Sequence, residues 1–120
     1  MRKDIAMQWI AALRSGDYQQ ARHRLRDCDD AFCCLGVLCN LHAQAHPEEA
    51  KTQTRPRHYY NESIALPREV RNWSGVKTNC GMRRATGLTV GETDSLANLN
   101  DTGHTFSQIA DVIEKEWRTL

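Results

Sequence analysis

Proline and phenylalanine are scarce in this 120-residue chain, at three and two copies, and aromatic residues make up only 7%. No apolar run approaches the ~20 residues that a membrane-spanning helix requires. There is no internal repeat, no low-complexity tract and no large excess of charge, since the net value is +1. These absences exclude a solenoid, a proline-rich linker and a wholesale polyanion binder. A secreted disulfide framework is also excluded, because the five cysteines (28, 33, 34, 39 and 80) are odd in number and include an adjacent pair. Reduced thiols in a cytosol follow as the expectation.

What is present is globular. Hydrophobic residues make up 40% and charged residues 26%, enough for one ordinary core without metal or disulfide staples. The opening segment "MRKDIAMQWIAALRSG" has basic residues before apolar ones, as a leader would. Asp4 and Gln8 interrupt the apolar run, so it reads as an amphipathic helix. The near-neutral total conceals alternating blocks: +4 over residues 1–26, −5 over 27–50, +6 over 51–84 and −4 over 85–120. Alternation of this kind fits internal complementarity or one basic face.

Periodicity places the elements. Ile5, Trp9, Ala12 and Leu13 form one helical stripe, with Gly16 after it as a stop. Residues 17–28 fit a helix or an alternating strand. Residues 31–45 read as a central helix, apolar over a wide arc, that ends before Pro47; a strand through "FCCLGVLC" is the alternative. Gly36 inside it costs about 1 kcal/mol relative to alanine, which points to a close helix or backbone contact. Residues 46–65 form a long polar loop ordered around Tyr59 and Tyr60. "LPREVRNWSG" gives a short helix opened by Pro67 and closed by Gly75. Thr105 and Gln108 make a capping box for a last helix whose stripe is Phe106, Ile109, Ala110, Ile113 and Trp117. The whole predicts a mainly α, single compact domain over residues 1–120, with three to four helices and at most a small β-hairpin near "TGLTV". An α-rich α+β fold is the alternative. The two terminal helices should flank the 31–45 segment.

The segment "DDAFCCLGVLCNLHAQAH" holds three cysteines and two histidines, and raises metal, redox and core readings. Zinc sites pair ligands as C-x2–4-C with a second pair well separated. On a helix Cys39 and His42 could share an ion, but Cys33 and Cys34 would diverge from them around the axis. Buried cysteine behaves as a small hydrophobe. Core packing is therefore expected, with no metal, no cofactor and no catalytic residue. A cysteine nucleophile beside His23, His58 or His104 remains the enzymatic alternative.

Arginine outnumbers lysine twelve to four, and arginine is suited to bidentate phosphate or carboxylate contacts and to aromatic stacking. "RHRLR" (22–26), "RPRHYY" (55–60) and "MRRATG" (82–87) could contact nucleic acid. They could equally clamp a small phosphorylated ligand, with Tyr59, Tyr60, Trp73 and Asn100 supplying stacking and polar readout. The expected binding face is Arg55, Arg57, Tyr59, Tyr60, Arg83 and Arg84. The Asn100-Asp101 turn is a second candidate, with a structural cap as its principal reading.

Four stretches carry a resemblance. They are W-x3-L-R-S-G-x-Y from Trp9 to Tyr18, FCCLGVLC from Phe32 to Cys39, L-P-x-x-V-x-x-W from Leu66 to Trp73, and L-x-x-L-N-D-x-G-x-x-F-x-x-I-A-x-x-I from Leu96 to Ile113. Together they resemble a family of small, uncharacterised proteins of tailed phages and prophages, over about half of the chain. The resemblance implies a phage accessory protein of the bacterial cytoplasm and brings no activity, cofactor or catalytic residue with it. The functional expectation is a non-catalytic protein that binds and blocks a host target, either a defence protein or a nucleotide-type immune signal. A nucleic-acid binder that modulates transcription is the alternative.

Overall fold

Ile5, Ala6, Trp9, Ile10 and Leu13 recur at helical spacing and are all buried, forming the inner face of helix α1 (Lys3–Arg14) in the computed structural model, which describes residues 1–83 and 95–120. Five more helices follow among the described residues: α2 (Cys34–Ala45), α3 (Pro47–Ala50), α4 (Arg68–Ser74), α5 (Leu96–Asp101) and α6 (Phe106–Glu116). The fold is a mainly α single domain. Four helices of seven residues or more match the expected three to four, and the short α3 and α5 add to them. Backbone pairing among the described residues is confined to isolated bridges such as Gln20–Phe32 and Tyr59–Glu62. The hairpin expected at "TGLTV" lies outside the described residues.

Local chemistry explains the helix ends. Thr105 accepts a hydrogen bond from the Gln108 N–H, and the Gln108 side chain accepts one from the Thr105 N–H, completing the capping box of α6. Gly75 closes α4 at φ 80°, a left-handed conformation that glycine takes cheaply. Pro67 sits one position before the expected first turn, as the N-cap of α4. The 46–65 loop is not wholly irregular. Pro47 opens α3 at its first position and Glu48 and Glu49 occupy its first turn, where carboxylates favour a helix N-terminus.

The packing order differs from expectation. α1 contacts both α2 and α6, and its most extensive contact is with α6. Of these three helices α1 lies between α2 and α6, while α2 also contacts α3, α4 and α5. Arg14 fixes the α1–α6 register by pairing with Asp111 and Glu114, both at 2.7 Å. α2 is nonetheless the most buried element. Cys34, Val37, Leu38 and Cys39 are wholly inaccessible, and the Trp9 indole N–H donates to the Cys34 carbonyl at 2.9 Å.

Residues 17–28 form neither the helix nor the strand that their spacing allowed. Their backbone bonds run to distant partners, from the Ala21 N–H to the Phe32 carbonyl and from the Leu25 N–H to the Ser63 carbonyl, both at 2.8 Å. This irregular segment is pressed against α2 at Gly36 and brings Arg26 to the surface beside the 55–60 loop.

Candidate functional site

The loop after α3 is shaped by a tight turn. Tyr59 and Glu62 exchange both backbone hydrogen bonds at 2.9 Å, while Tyr60 and Asn61 between them take φ of 50° and 68°. Two successive positive φ values at the centre of a reciprocally bonded pair define a type I′-like turn. The Gln53 side chain accepts from the Tyr60 N–H at 2.8 Å and ties the turn back to the end of α3. Arg57 is also left-handed, at φ 62°. Non-glycine residues persist in such conformations only where surrounding bonds hold them. Asn61→Val is accordingly expected to lower stability by about 1–2 kcal/mol, since a β-branched residue resists positive φ. Asn61→Gly should stay within about 0.5 kcal/mol of the parent, because glycine accepts that conformation freely. Urea denaturation of the two variants measures both.

This turn walls a cleft of about 270 Å³ lined by Arg26, Asn40, His42, Gln53, Arg55, Arg57, His58, Tyr59 and Tyr60, among others. An adjoining depression of about 400 Å³ shares Arg26, Pro56, Arg57 and His58 and adds Arg24. Four arginines therefore converge from two segments far apart in sequence. Among the described residues neither Arg55 nor Arg57 has a carboxylate partner. Arg26 is held in place, its Nε 3.0 Å from Asp30 and its guanidinium 5.2 Å from the Phe32 ring centroid.

The Tyr59 hydroxyl is buried in this wall without a hydrogen-bond partner. Burial pushes the phenol up to about 12, and the neighbouring Arg26 guanidinium opposes this only in part. It is therefore a neutral donor at physiological pH. A buried polar atom without a partner is uncommon in a folded protein and calls for an explanation. Tyr60 is also pushed up to about 12, first by desolvation and then by the negative charge of the Glu49 carboxylate.

Behind Tyr60 lies a second group. His42, in the last turn of α2, is 4% exposed, and its ring stacks on that of His46 with centroids 4.2 Å apart. Trp73 from α4 and Tyr60 close over it edge-on, at 5.3 and 5.7 Å. One ligand atom from each of His42, His46 and Glu49 lies within 4.8 Å of the other two. Burial, and then the neighbouring His46, lower the His42 pKa and favour its neutral form.

The model of a domain of unknown function, DUF8296, matches residues 1–117. The chain belongs to the DUF8296 family. No curated protein and no solved structure matches it.

Not every residue expected in the DUF8296 protein's binding face reaches the cleft. Arg55, Arg57, Tyr59 and Tyr60 line it together. Arg83 does not, and instead pairs with Glu116 of α6 at 3.3 Å. Arg84 lies outside the described residues. Asn100 is fully buried and its amide is engaged inside the fold, so it offers no binding surface. Asp101 accepts from the His23 N–H at 2.9 Å and stands 3.3 Å from the His23 ring, which makes it a brace for the irregular 17–28 segment. Gln53 joins the cleft unexpectedly, and Arg26 and His58 join it from the RHRLR and RPRHYY segments although neither was placed in the expected face; tertiary packing alone sets Arg26 beside the 55–60 loop.

The three cysteines of the 29–46 segment line the core, as expected, whereas Cys28 is exposed and Cys80 only partly buried. Cys33, Cys34 and Cys39 are buried, and the Cys33 sulfur accepts from the Gly36 N–H as the N-cap of α2. Burial pushes Cys33 up to about 11 and raises Cys34 and Cys39 well above the ordinary thiol value. These thiols stay protonated at neutral pH, which opposes their use as nucleophiles.

Proposed function

We propose that the protein is a non-catalytic phage accessory protein that acts in the host cytoplasm by sequestering a small, nucleotide-type signal in the Arg26–Arg55–Arg57–Tyr59 cleft. The observation that carries this reading is the convergence of Arg26, Arg55 and Arg57 on one cleft beside the buried Tyr59 hydroxyl, with Arg55 and Arg57 lacking a carboxylate partner among the described residues. Guanidinium groups match phosphate oxygens bidentately, and a neutral phenol donor suits a phosphate or base acceptor. Tyr60 and His58 supply flat surfaces for stacking. A concave pocket of a few hundred Å³ with few, convergent polar groups fits a small molecule better than an extended polyanion. The phage assignment is supported by the four sequence motifs described above.

The test combines capture with binding. Protein expressed in a host with an active nucleotide-based defence system should release a nucleotide on heat denaturation, detectable by mass spectrometry. A panel of nucleoside phosphates and cyclic dinucleotides, titrated calorimetrically, should then contain a ligand whose affinity falls at least ~100-fold in the Arg55→Glu/Arg57→Glu variant, because two charge-assisted contacts are lost. The melting temperature should hardly change, since both side chains are exposed and unpaired. A host protein captured in stoichiometric amount with no small molecule would overturn the ligand reading. So would nucleic-acid binding whose affinity falls steeply with salt through counterion release.

A further inference from the structure

We propose that His42, His46 and Glu49 form a binding site for a divalent transition-metal ion of the zinc class. This goes beyond the cleft ligand and is independent of it, and it departs from the sequence-based expectation of no metal. The three donors come from the junction of α2 and α3. His42 and His46 are separated by four residues, which places both rings on one side of the helix end. Glu49 follows one turn into α3. Their ligand atoms already lie within 4.8 Å of one another. Zinc–nitrogen and zinc–oxygen bonds of about 2.0–2.2 Å ask these atoms to approach one another by roughly another ångström, a movement within reach of side-chain rotation.

Three further features fit a cation. The His46 Nδ1 lies 2.9 Å from the His42 carbonyl oxygen, which can only accept, so Nδ1 carries the proton and Nε2 keeps its lone pair. A hydrogen bond from the far ring nitrogen to a backbone carbonyl is the usual support for a metal-bound histidine. The Tyr60 hydroxyl stands close to the Glu49 carboxylate, near enough to act on its charge. Finally, neither ring nitrogen of His42 makes a hydrogen bond among the described residues, so a lone pair on this ring is free to ligate.

The position strengthens the argument. The site sits at the C-terminal end of the twelve-residue α2, where the helix dipole favours positive charge. Glu69 of α4 adds a second negative charge facing His42. Two imidazoles and one carboxylate select zinc, cobalt or nickel over magnesium and calcium, which prefer all-oxygen shells. Three protein ligands leave a coordination position for water or an exogenous donor. His42 also lines the cleft, so that position is close to it.

The experiment uses the full chain, stripped with a chelator and titrated with Zn²⁺ by calorimetry and with Co²⁺ by visible absorption, without any cleft ligand. One ion per chain is expected, with a Co²⁺ d–d band of a nitrogen- and oxygen-ligated ion. His46→Ala should weaken zinc binding at least ~100-fold, and Glu49→Gln and Tyr60→Phe about tenfold each. His46 and Glu49 are more exposed than His42, so these variants keep the fold, which far-UV circular dichroism checks. His23→Ala and His58→Ala should bind zinc like the parent. Absence of stoichiometric zinc binding by the parent overturns the proposal. Binding that survives in the His46→Ala/Glu49→Gln double variant and disappears with Cys28→Ser or Cys80→Ser assigns the ion to thiols and also overturns it. Because no cleft ligand is present, the result is independent of the nucleotide reading.

Discussion

Gly36→Ala is expected to destabilise the protein by about 3 kcal/mol or more, the upper range for forcing extra atoms into a packed interior. In an exposed helix the same change would stabilise by about 1 kcal/mol, because alanine is the better helix former. Here sterics overrule propensity. A Cβ at this position would lie 1.7 Å from the Leu25 carbonyl oxygen and 2.6 Å from its carbon. These are backbone atoms, so no side-chain rotation relieves the overlap. Leu25 is itself wholly buried, and its N–H is held by the Ser63 carbonyl at 2.8 Å. Accommodating one methyl group therefore means lifting the 24–26 segment away from α2 and moving Arg26 out of the cleft wall. Chemical denaturation measures the loss, and nucleotide affinity should fall in the same variant. Parent-like stability would show that α2 and the 24–26 segment do not approach this closely.

The need for a small residue at Gly36 was legible in the sequence, whereas its partner was not. A glycine inside an apolar helical run signals close approach, but the run does not say what approaches. The same division holds elsewhere. α1 and α6 were legible because their stripes and the Thr105–Gln108 box are local features. Residues 17–28 were not, since their conformation is decided by bonds to Phe32 and Ser63 rather than by their own spacing. The short α3 was overlooked inside a polar segment, although Pro47 followed by two glutamates is an ordinary helix-start signal. Half of the cleft was visible because arginine and tyrosine stand out in a polar loop. Arg26 stood out in the RHRLR run, but its place beside the 55–60 loop comes only from the fold. His42 and His46 were weighed with the cysteines as core wall. The missing clue was Glu49, three residues further on, whose relevance appears only once α3 turns it back towards them.

Asn100→Ala is expected to cost about 4 kcal/mol, the sum of at least two stranded buried polar groups at about 1–3 kcal/mol each plus a small cavity. In sequence the Asn100-Asp101 pair has the composition of a turn, which favours a structural cap over the binding role also weighed for it. In the fold Asn100 is a fully buried junction. Its Oδ1 accepts from the Cys34 N–H at 3.1 Å, one of the N–H groups that a helix start leaves without an intrahelical partner. The same oxygen accepts from the Gln20 side chain at 2.9 Å. Its Nδ2 donates to the Ala21 carbonyl at 2.8 Å. One amide thus ties α5 to the start of α2 and to the irregular 17–28 segment. Gln20 extends the network to α6, its Oε1 accepting from the Phe106 N–H at 3.1 Å. Gln20→Ala alone should cost about 1–2 kcal/mol, because Gln20 is less buried and water can replace part of what it supplies. The double variant should lose less than the sum of the two, since the groups share one network. Denaturation of the four proteins completes this cycle. The remaining folded fraction of Asn100→Ala, assayed at low temperature, should bind nucleotide and zinc with parental affinity. Parental stability combined with lost ligand binding would instead make Asn100 a contact residue and end its assignment as the junction of the fold.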